Sequence, residues 1–338
     1  MTLAADTLRR ITQASGRAAV VHEQAEGDEL ERLAFSSAPM VLRDCLQQVS
    51  VDGALAPVLG GTWEEVKSMA VGRVEQTGEG PHAVALSYFS RLTDSASFTA
   101  SARRELLRRH TADARAVVAV TDGALWIEGF VDENLPTATH IIDWPHASGY
   151  VRAASQALFG AGTADSVAWT KTYLDLLWEG NAEVVVAELR RLESTTSLEE
   201  VRSARHYLER RLDQLRYADF RAAGYPTGSG IVESANKLVV EARLKGPGKH
   251  WQRANVNPML ALRCLSANQR WDDSWQEISR RLRRSYRGHR PPAPSGDQPR
   301  IPRQPPPPTL SPPLPTFVDG KPTAAHPWKA GLRRRAKT

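Results

Sequence analysis

Between Cys45 and Phe159 the chain changes its apolar period in one order, and that order excludes most folds before any single residue is considered for chemistry. CLQQVSVDGALAPVL reads as a strand interrupted by Asp52-Gly53. In EVKSMAVGRVEQ, Val66, Met69, Val71 and Val74 alternate imperfectly with polar residues, as in a second strand, and HAVALSYFSRL is a β-rich third. SASFTASARRELLRRH then has helical spacing, with Arg and His in its last turn. RAVVAVTDG is a short apolar run ending at Asp122-Gly123, as buried strands do. ALWIEGFVDENLP supplies a helical turn or two before Pro136, ATHIIDW another short apolar strand, and PHASGYVRAASQALF a helix with Pro145 in its first turn.

Three strands, a helix, a strand, a helix and a strand is the order of the ribonuclease-H-like fold. The expected class is therefore α/β, with a mixed sheet whose first part spans 45–161. The alternation then stops. VAWTKTYLDLLWEG, NAEVVVAELRRLES and SLEEVRSARHYLERRLDQLRYADFR read as consecutive amphipathic helices, an all-α insertion over 162–225. After Pro226, TGSG leads into IVESANKLVVEARLK, helical by period; NVNPMLALRCLSANQRW and the arginine-rich RRLRRSYRGHR complete the second part of the core over 226–290. Residues 1–44 read as a helical lead-in, a truncated N-terminal region. Of 22 prolines, 14 fall after residue 290, so 291–338 is expected to be a disordered, polyproline-like basic tail without a core of its own.

The formal charge of +6 hides an asymmetry. Residues 1–233 carry 23 Lys/Arg against 32 Asp/Glu, whereas 234–338 carry 21 against 6. A basic C-terminal third on an acidic body points to a polyanion partner. No apolar face is interleaved with the charges after residue 280, which argues against a membrane surface. No apolar run approaches 18 residues and the start lacks the apolar stretch of a signal peptide, so the expected location is cytoplasmic and nucleoid-associated. Cys45 and Cys264 alone provide neither a disulfide framework nor a thiolate zinc site.

Val51-Asp52-Gly53-Ala54 and Thr121-Asp122-Gly123-Ala124 share an Asp-Gly-Ala core, each at the end of an apolar run. Asp-Gly is a strong turn dipeptide, and each occurrence alone is explained as a turn. Two occurrences on strands that neighbour each other in the expected sheet instead bring two carboxylates toward one point. Glu233, near the start of a helix preceded by Thr-Gly-Ser-Gly, is the third candidate; a carboxylate there also simply favours the helix dipole. Three converging carboxylates suit Mg²⁺ or Mn²⁺, and a pair of such ions suits in-line phosphoryl displacement. Asp143 and His146 flank Pro145 at a strand–helix junction, where Asp143 reads either as a helix cap or, with His146, as support for the acidic site. Lys237, Arg243, Lys245, Lys249 and Arg253 make the following segment basic, either as a solvated face or as a phosphate-backbone surface. Trp251, Trp169 and Trp178 read as core residues before stacking platforms.

VSVDGALAPVLGGTWEEVKSMAVGRV, VTDGALWI, HIIDWPHA, YPTGSGIVESANKLVVEARLKGPGKHW and LRCLSANQRWDDSW, in that order, resemble ISKra-type insertion-sequence transposases of the DDE superfamily. The resemblance spans about residues 45–290, with an echo in AAHPW near the C-terminus. It implies that Asp52, Asp122 and Glu233 are the catalytic and metal-binding triad, using two Mg²⁺ or Mn²⁺ ions. Asp143 and His146 match a supporting Asp-x-x-His element. The implied activity is metal-dependent DNA cleavage at element ends and strand transfer, by a homodimer or larger assembly on DNA. Two rivals stand beside it: a truncated remnant that only binds DNA, and a structure-selective nuclease on the same fold.

Overall fold

A computed structural model describes residues 4–36 and 42–288, and the short pairs 317–318 and 321–322. The elements are α1 (Ala5–Ser36), β1 (Leu42–Pro57), β2 (Trp63–Thr77), β3 (Gly80–Arg91), α2 (Ser95–Arg108), β4 (Ala114–Thr121), α3 (Leu125–Asn134), β5 (Thr139–Ile142) and α4 (Trp144–Phe159). A helical run follows: α5 (Ala164–Trp178), α6 (Ala182–Glu193), α7 (Glu199–Glu209) and α8 (Tyr217–Ala222). The chain continues through α9 (Gly230–Ala235), a π-helical turn (Asn236–Glu241), α10 (Ala242–Leu244), α11 (Arg253–Ala267) and α12 (Trp271–Gly288). Of the expected tail, only β6 (Phe317–Val318) and β7 (Lys321–Pro322), paired antiparallel, fall within the described residues.

The five main strands form one mixed sheet in the order β3-β2-β1-β4-β5. β1, β2 and β3 pair antiparallel, as consecutive strands joined by short turns do; β4 and β5 add in parallel, with α3 as the crossover between them. β1 runs unbroken through Asp52-Gly53, whose partners on β2 are Ser68 and Lys67. The expected interruption is absent because β2 supplies a continuous ladder, so Asp-Gly stays extended here and turns only at Asp122-Gly123, where Gly123 has φ 75°.

Alternation along β1 divides the core. Val49 and Val51 face α2 and α3, meeting Phe98, Phe130 and Ile127. On the other face the β4–β5 half of the sheet is covered by α4 to α8 and the β2–β3 half by α9 to α11. Trp169 and Trp178 pack against the first of these clusters and Trp251 against the second, as core residues do. α1 lies against α11 and α12 through Ala19, Ala261, Leu265 and Ile278. A Cβ at Gly16 would come 2.5 Å from the Pro258 carbonyl oxygen, so only glycine allows that approach of α1 to α11.

Edge strand β3 is closed by two asparagines of the α11 region. Asn257 accepts from Leu92 N and donates to Leu92 O, and Asn268 does the same at Tyr88. Each amide side chain stands in for a missing strand and satisfies backbone groups that would otherwise be open for pairing.

The third helix of the expected insertion is not one helix. It breaks between α7 and α8 at a 3₁₀ turn over Leu212–Gln214. Burial explains the break: Arg211 is drawn in to Gly123 O and Glu128, while Leu215 and Tyr217 enter the core, and one straight helix cannot present all three inward.

α2 begins at an Asp94 cap, whose carboxylate accepts from Ser97 N and Ser97 Oγ and is pulled down to about 2 by those bonds. Its folded value lies below its unfolded one, so its contribution is present at neutral pH and is lost as pH falls through about 2. The expected result is an Asp94 carboxyl titration, followed by ¹³C NMR, with its midpoint near 2, and a lower Tm at pH 7 for Asp94→Ala. A midpoint near the ordinary value of about 4 would remove the cap from the account.

Candidate active site

The register of the parallel strands builds the site. Val49 of β1 pairs with Ala119 of β4, and Thr121 of β4 pairs with Ile142 of β5. Asp52 follows the last β1–β4 pair by three residues, and Asp122 and Asp143 directly follow β4 and β5, where Asp143 N donates to Thr121 O. The three acids thus form a row along this end of the sheet, with Asp122 close enough for its charge to act on Asp52. The row lies just beyond the ends of β4 and β5.

Asp52 is half-buried. Its Oδ1 accepts from Gly53 N at 2.7 Å and its Oδ2 from Asn236 Nδ2 at 2.8 Å. Burial raises its pKa above the ordinary carboxylate value; the Gly53 hydrogen bond opposes this, the Asp122 charge adds to it, and His146 and Asn236 oppose it. Asp122 Oδ1 accepts from Ala124 N at 2.9 Å, and its carbonyl oxygen accepts from the Tyr207 hydroxyl at 2.5 Å. Among the described residues neither Asp52 nor Asp122 forms an ion pair with Lys or Arg.

Asp143 is 1% exposed and stands at the cap position of α4, yet its side chain does not cap that helix. Oδ2 instead accepts from His146 Nδ1 at 2.7 Å and Oδ1 from Ser229 N at 2.7 Å. The simple capping role expected of it gives way to a bridge between His146 and the loop before α9. Two more bonds stitch that loop down: Trp144 N donates to Thr227 O, and Gln48 Nε2 donates to Gly228 O. The Thr-Gly-Ser-Gly run thus lies along the sheet face and sets α9 beside β1. His146 is half-exposed; its pKa is raised by the Asp143 hydrogen bond, with the charges of Asp143, Asp122 and Asp52 adding against its partial burial.

Glu233 is not drawn into this group. It is the fourth residue of α9, exposed, with Lys237 3.8 Å away. The residue of this helical run that reaches Asp52 is Asn236, one turn later. Sequence reasoning missed Asn236, although its spacing of three from Glu233 marks the same helix face.

The basic candidates cluster around the chain after α9, mostly in local pairs. Lys237 is near Glu233, Lys245 pairs with Glu241 at 2.7 Å and Arg253 with Glu64 at 2.7 Å. The Arg243 guanidinium lies 5.6 Å from the Trp251 ring centre. Lys249 is exposed on the loop. Trp251 anchors this loop to the end of β1, exchanging backbone bonds with Pro57 and Leu59.

A hard divalent cation fits the Asp52–Asp122 half of this arrangement: two half-buried carboxylates at the ends of neighbouring chain segments, with no Lys or Arg paired to them among the described residues, and with a mutual repulsion that a cation offsets. It does not fit a three-ligand cage as the side chains stand. Among the described residues no three Asp, Glu, His or Cys groups gather closely enough to hold one ion.

Gly123 carries a further prediction. At φ 75° a Cβ would lie 2.6 Å from Arg211 Nε and 2.8 Å from Ile142 Cδ1. Gly123→Ala is expected to destabilise the protein by about 1–3 kcal/mol, read by denaturant unfolding, because the left-handed backbone strains any side chain. Unchanged stability would mean that the turn after Asp122 is not held as described.

No family model matches the chain, and no curated protein matches it significantly.

Proposed function

We propose that the chain is a metal-dependent DNA phosphodiester-cleaving enzyme of the DDE transposase type, acting at insertion-sequence ends. The observation that carries this is the approach of Asp52, on β1, to Asp122, just past the end of the neighbouring strand β4, close enough for the Asp122 charge to act on Asp52, with no Lys or Arg paired to either among the described residues. The strand order 3-2-1-4-5 with only β1, β2 and β3 antiparallel supports a ribonuclease-H-like reading of the sheet. The helix bearing Glu233 is bound beside the row through Ser229, Gly228 and Asn236.

Asp52 and Asp122 would hold the ion, Mg²⁺ or Mn²⁺, and Glu233 would complete the set only by turning away from Lys237. When bound, such ions activate a hydroxyl or water and stabilise the leaving oxygen of an in-line displacement. The chain's own residues set the geometry. Gly53 N and Asn236 fix both oxygens of Asp52, and the Tyr207 hydroxyl and Ala124 N fix the turn that presents Asp122. Asp143 accepts from His146 Nδ1 and so turns Nε2 outward, and the same hydrogen bond, with the nearby carboxylate charges, favours the protonated ring, in which Nε2 also carries a hydrogen. The basic segment from Lys237 to Arg253 would grip flanking phosphates, and pairing two ends calls for a dimer or larger assembly.

A second reading, a DNA-binding protein without cleavage, is favoured by one observation: Glu233 lies outside the acidic row. The experiment that separates them is incubation of the full chain with labelled duplex carrying the DNA that flanks its gene, in Mg²⁺, Mn²⁺ or EDTA. Metal-dependent nicking at the element boundary, lost in Glu233→Gln, is the result expected. Salt-sensitive binding without nicking in any metal would replace the enzyme by the binding protein.

A further inference from the structure

α4 and α7 pack side by side, and between them lies a cleft of about 310 Å³. Its floor is aromatic: the Tyr150 ring of α4 stacks on Tyr207 of α7, with ring centres 3.9 Å apart. That floor is fastened to the acidic row, because the Tyr207 hydroxyl bonds the Asp122 carbonyl and the Arg211 guanidinium, beneath the Tyr207 ring, bonds Gly123 O. The rim carries more basic than acidic side chains: Arg202, His206 and Arg210 recur every four residues along α7 and its end, with Glu199 the one acid among them. Arg211 is committed to Glu128 at 2.6 Å, and Arg202 shares the exposed Glu199. Arg210 is exposed and has no side-chain partner among the described residues.

We propose that this cleft is an anion site for the phosphodiester backbone of a single DNA strand, flanking the phosphate held at Asp52 and Asp122. Three features select that ligand. His146 and Tyr150 lie on one face of α4, one turn or about 6 Å apart, so a strand leaving the acidic row runs directly onto the cleft. A volume near 310 Å³ accommodates a sugar-phosphate unit. Two guanidiniums above an aromatic floor match a phosphate with its attached sugar and base. The surface lay hidden in the composition, because residues 162–225 hold 9 basic against 11 acidic side chains; the fold brings three of the former, Arg202, Arg210 and Arg211, to this cleft. The inference rests on the nucleic-acid reading above but not on cleavage.

The test is fluorescence anisotropy of the full chain with a short labelled single-stranded oligonucleotide and with its duplex, in EDTA, over a range of salt. Arg202→Gln combined with Arg210→Gln changes only exposed side chains. The double variant is expected to bind the single strand about tenfold more weakly, and the slope of log K against log salt should shrink by about 1.4, at roughly 0.7 per phosphate contact. Duplex binding should change little, and Arg→Lys at both positions should restore most of the loss. Unchanged single-strand binding, or an equal loss for duplex, overturns the proposal. Because this binding is measured without metal, a failure of the wild-type chain to nick in the Mg²⁺ or Mn²⁺ assay refutes the enzyme and leaves this result standing.

Discussion

Asp52→Asn and Asp122→Asn are each expected to lower metal-dependent DNA cleavage by about a thousandfold or more while leaving the fold intact. The size follows from the several kcal/mol of transition-state charge stabilisation that a bound divalent ion supplies, each 1.4 kcal/mol being about tenfold in rate. The substitution keeps the shape of the side chain and removes its charge. In Asp52→Asn a carbonyl oxygen can still accept from Gly53 N or Asn236 Nδ2. Burial and the Asp122 charge both disfavour ionised Asp52, so its neutral replacement should melt at the same temperature or higher. That pairing of lost activity with retained or increased stability is what a merely structural aspartate would not show. Cleavage within about tenfold of wild type in both variants would refute the assignment.

The largest effect on stability is expected away from the site, at Glu105. This carboxylate is 2% exposed and accepts from Arg270 Nη1 and Nη2, both at 2.7 Å, and from Arg108 Nη1 at 2.7 Å. It joins α2 to the turn between α11 and α12. Burial works to raise its pKa, but the Arg270 hydrogen bonds and the charges of Arg270 and Arg108 win, and the net shift is downward. Removing the acid leaves two guanidiniums facing a buried hole. Glu105→Ala should therefore cost about 3–5 kcal/mol, or roughly 6–20 °C in Tm at about 2–4 °C per kcal/mol. Adding Arg270→Met should recover part of that loss, since the uncompensated charge is then gone. The depressed pKa also means that this stabilisation is complete above the unfolded value of about 4.3 and fades as pH falls through the lower folded value. A loss below about 1 kcal/mol would show that solvent reaches the cluster and that it is not a core element.

β4 and β5 were legible as short apolar runs, and β1 to β3 through their partial alternation, although Asp52-Gly53 does not interrupt β1. The pairing of Asp52 with Asp122 was foreseen only as far as strand adjacency goes. Their common level depends on register, which no local pattern encodes, and Asp143 joins the same row for the same reason. Asp143 also shows how a local rule misleads: Asp before Trp-Pro reads as a helix cap, yet the loop returning from Pro226 brings Ser229 N to it and the carboxylate serves that contact instead. The break after α7 was missed because Arg211 has the period of an exposed helical residue; its partners, Gly123 and Glu128, lie over eighty positions earlier. Asn257 and Asn268 resemble ordinary helix and cap residues until β3 is seen to end the sheet. Glu233 was placed on the correct element, but its side-chain direction was beyond sequence, and it points toward Lys237.

The most direct measurement is Mn²⁺ binding by electron paramagnetic resonance to the purified chain, in the wild type and in Asp52→Asn and Asp122→Asn. The account predicts loss of the free Mn²⁺ signal with the wild-type protein, at one or two ions per chain, and its return in both variants. Equal binding in all three proteins, or none in the wild type, would contradict a metal site at Asp52 and Asp122, and with it the proposed chemistry.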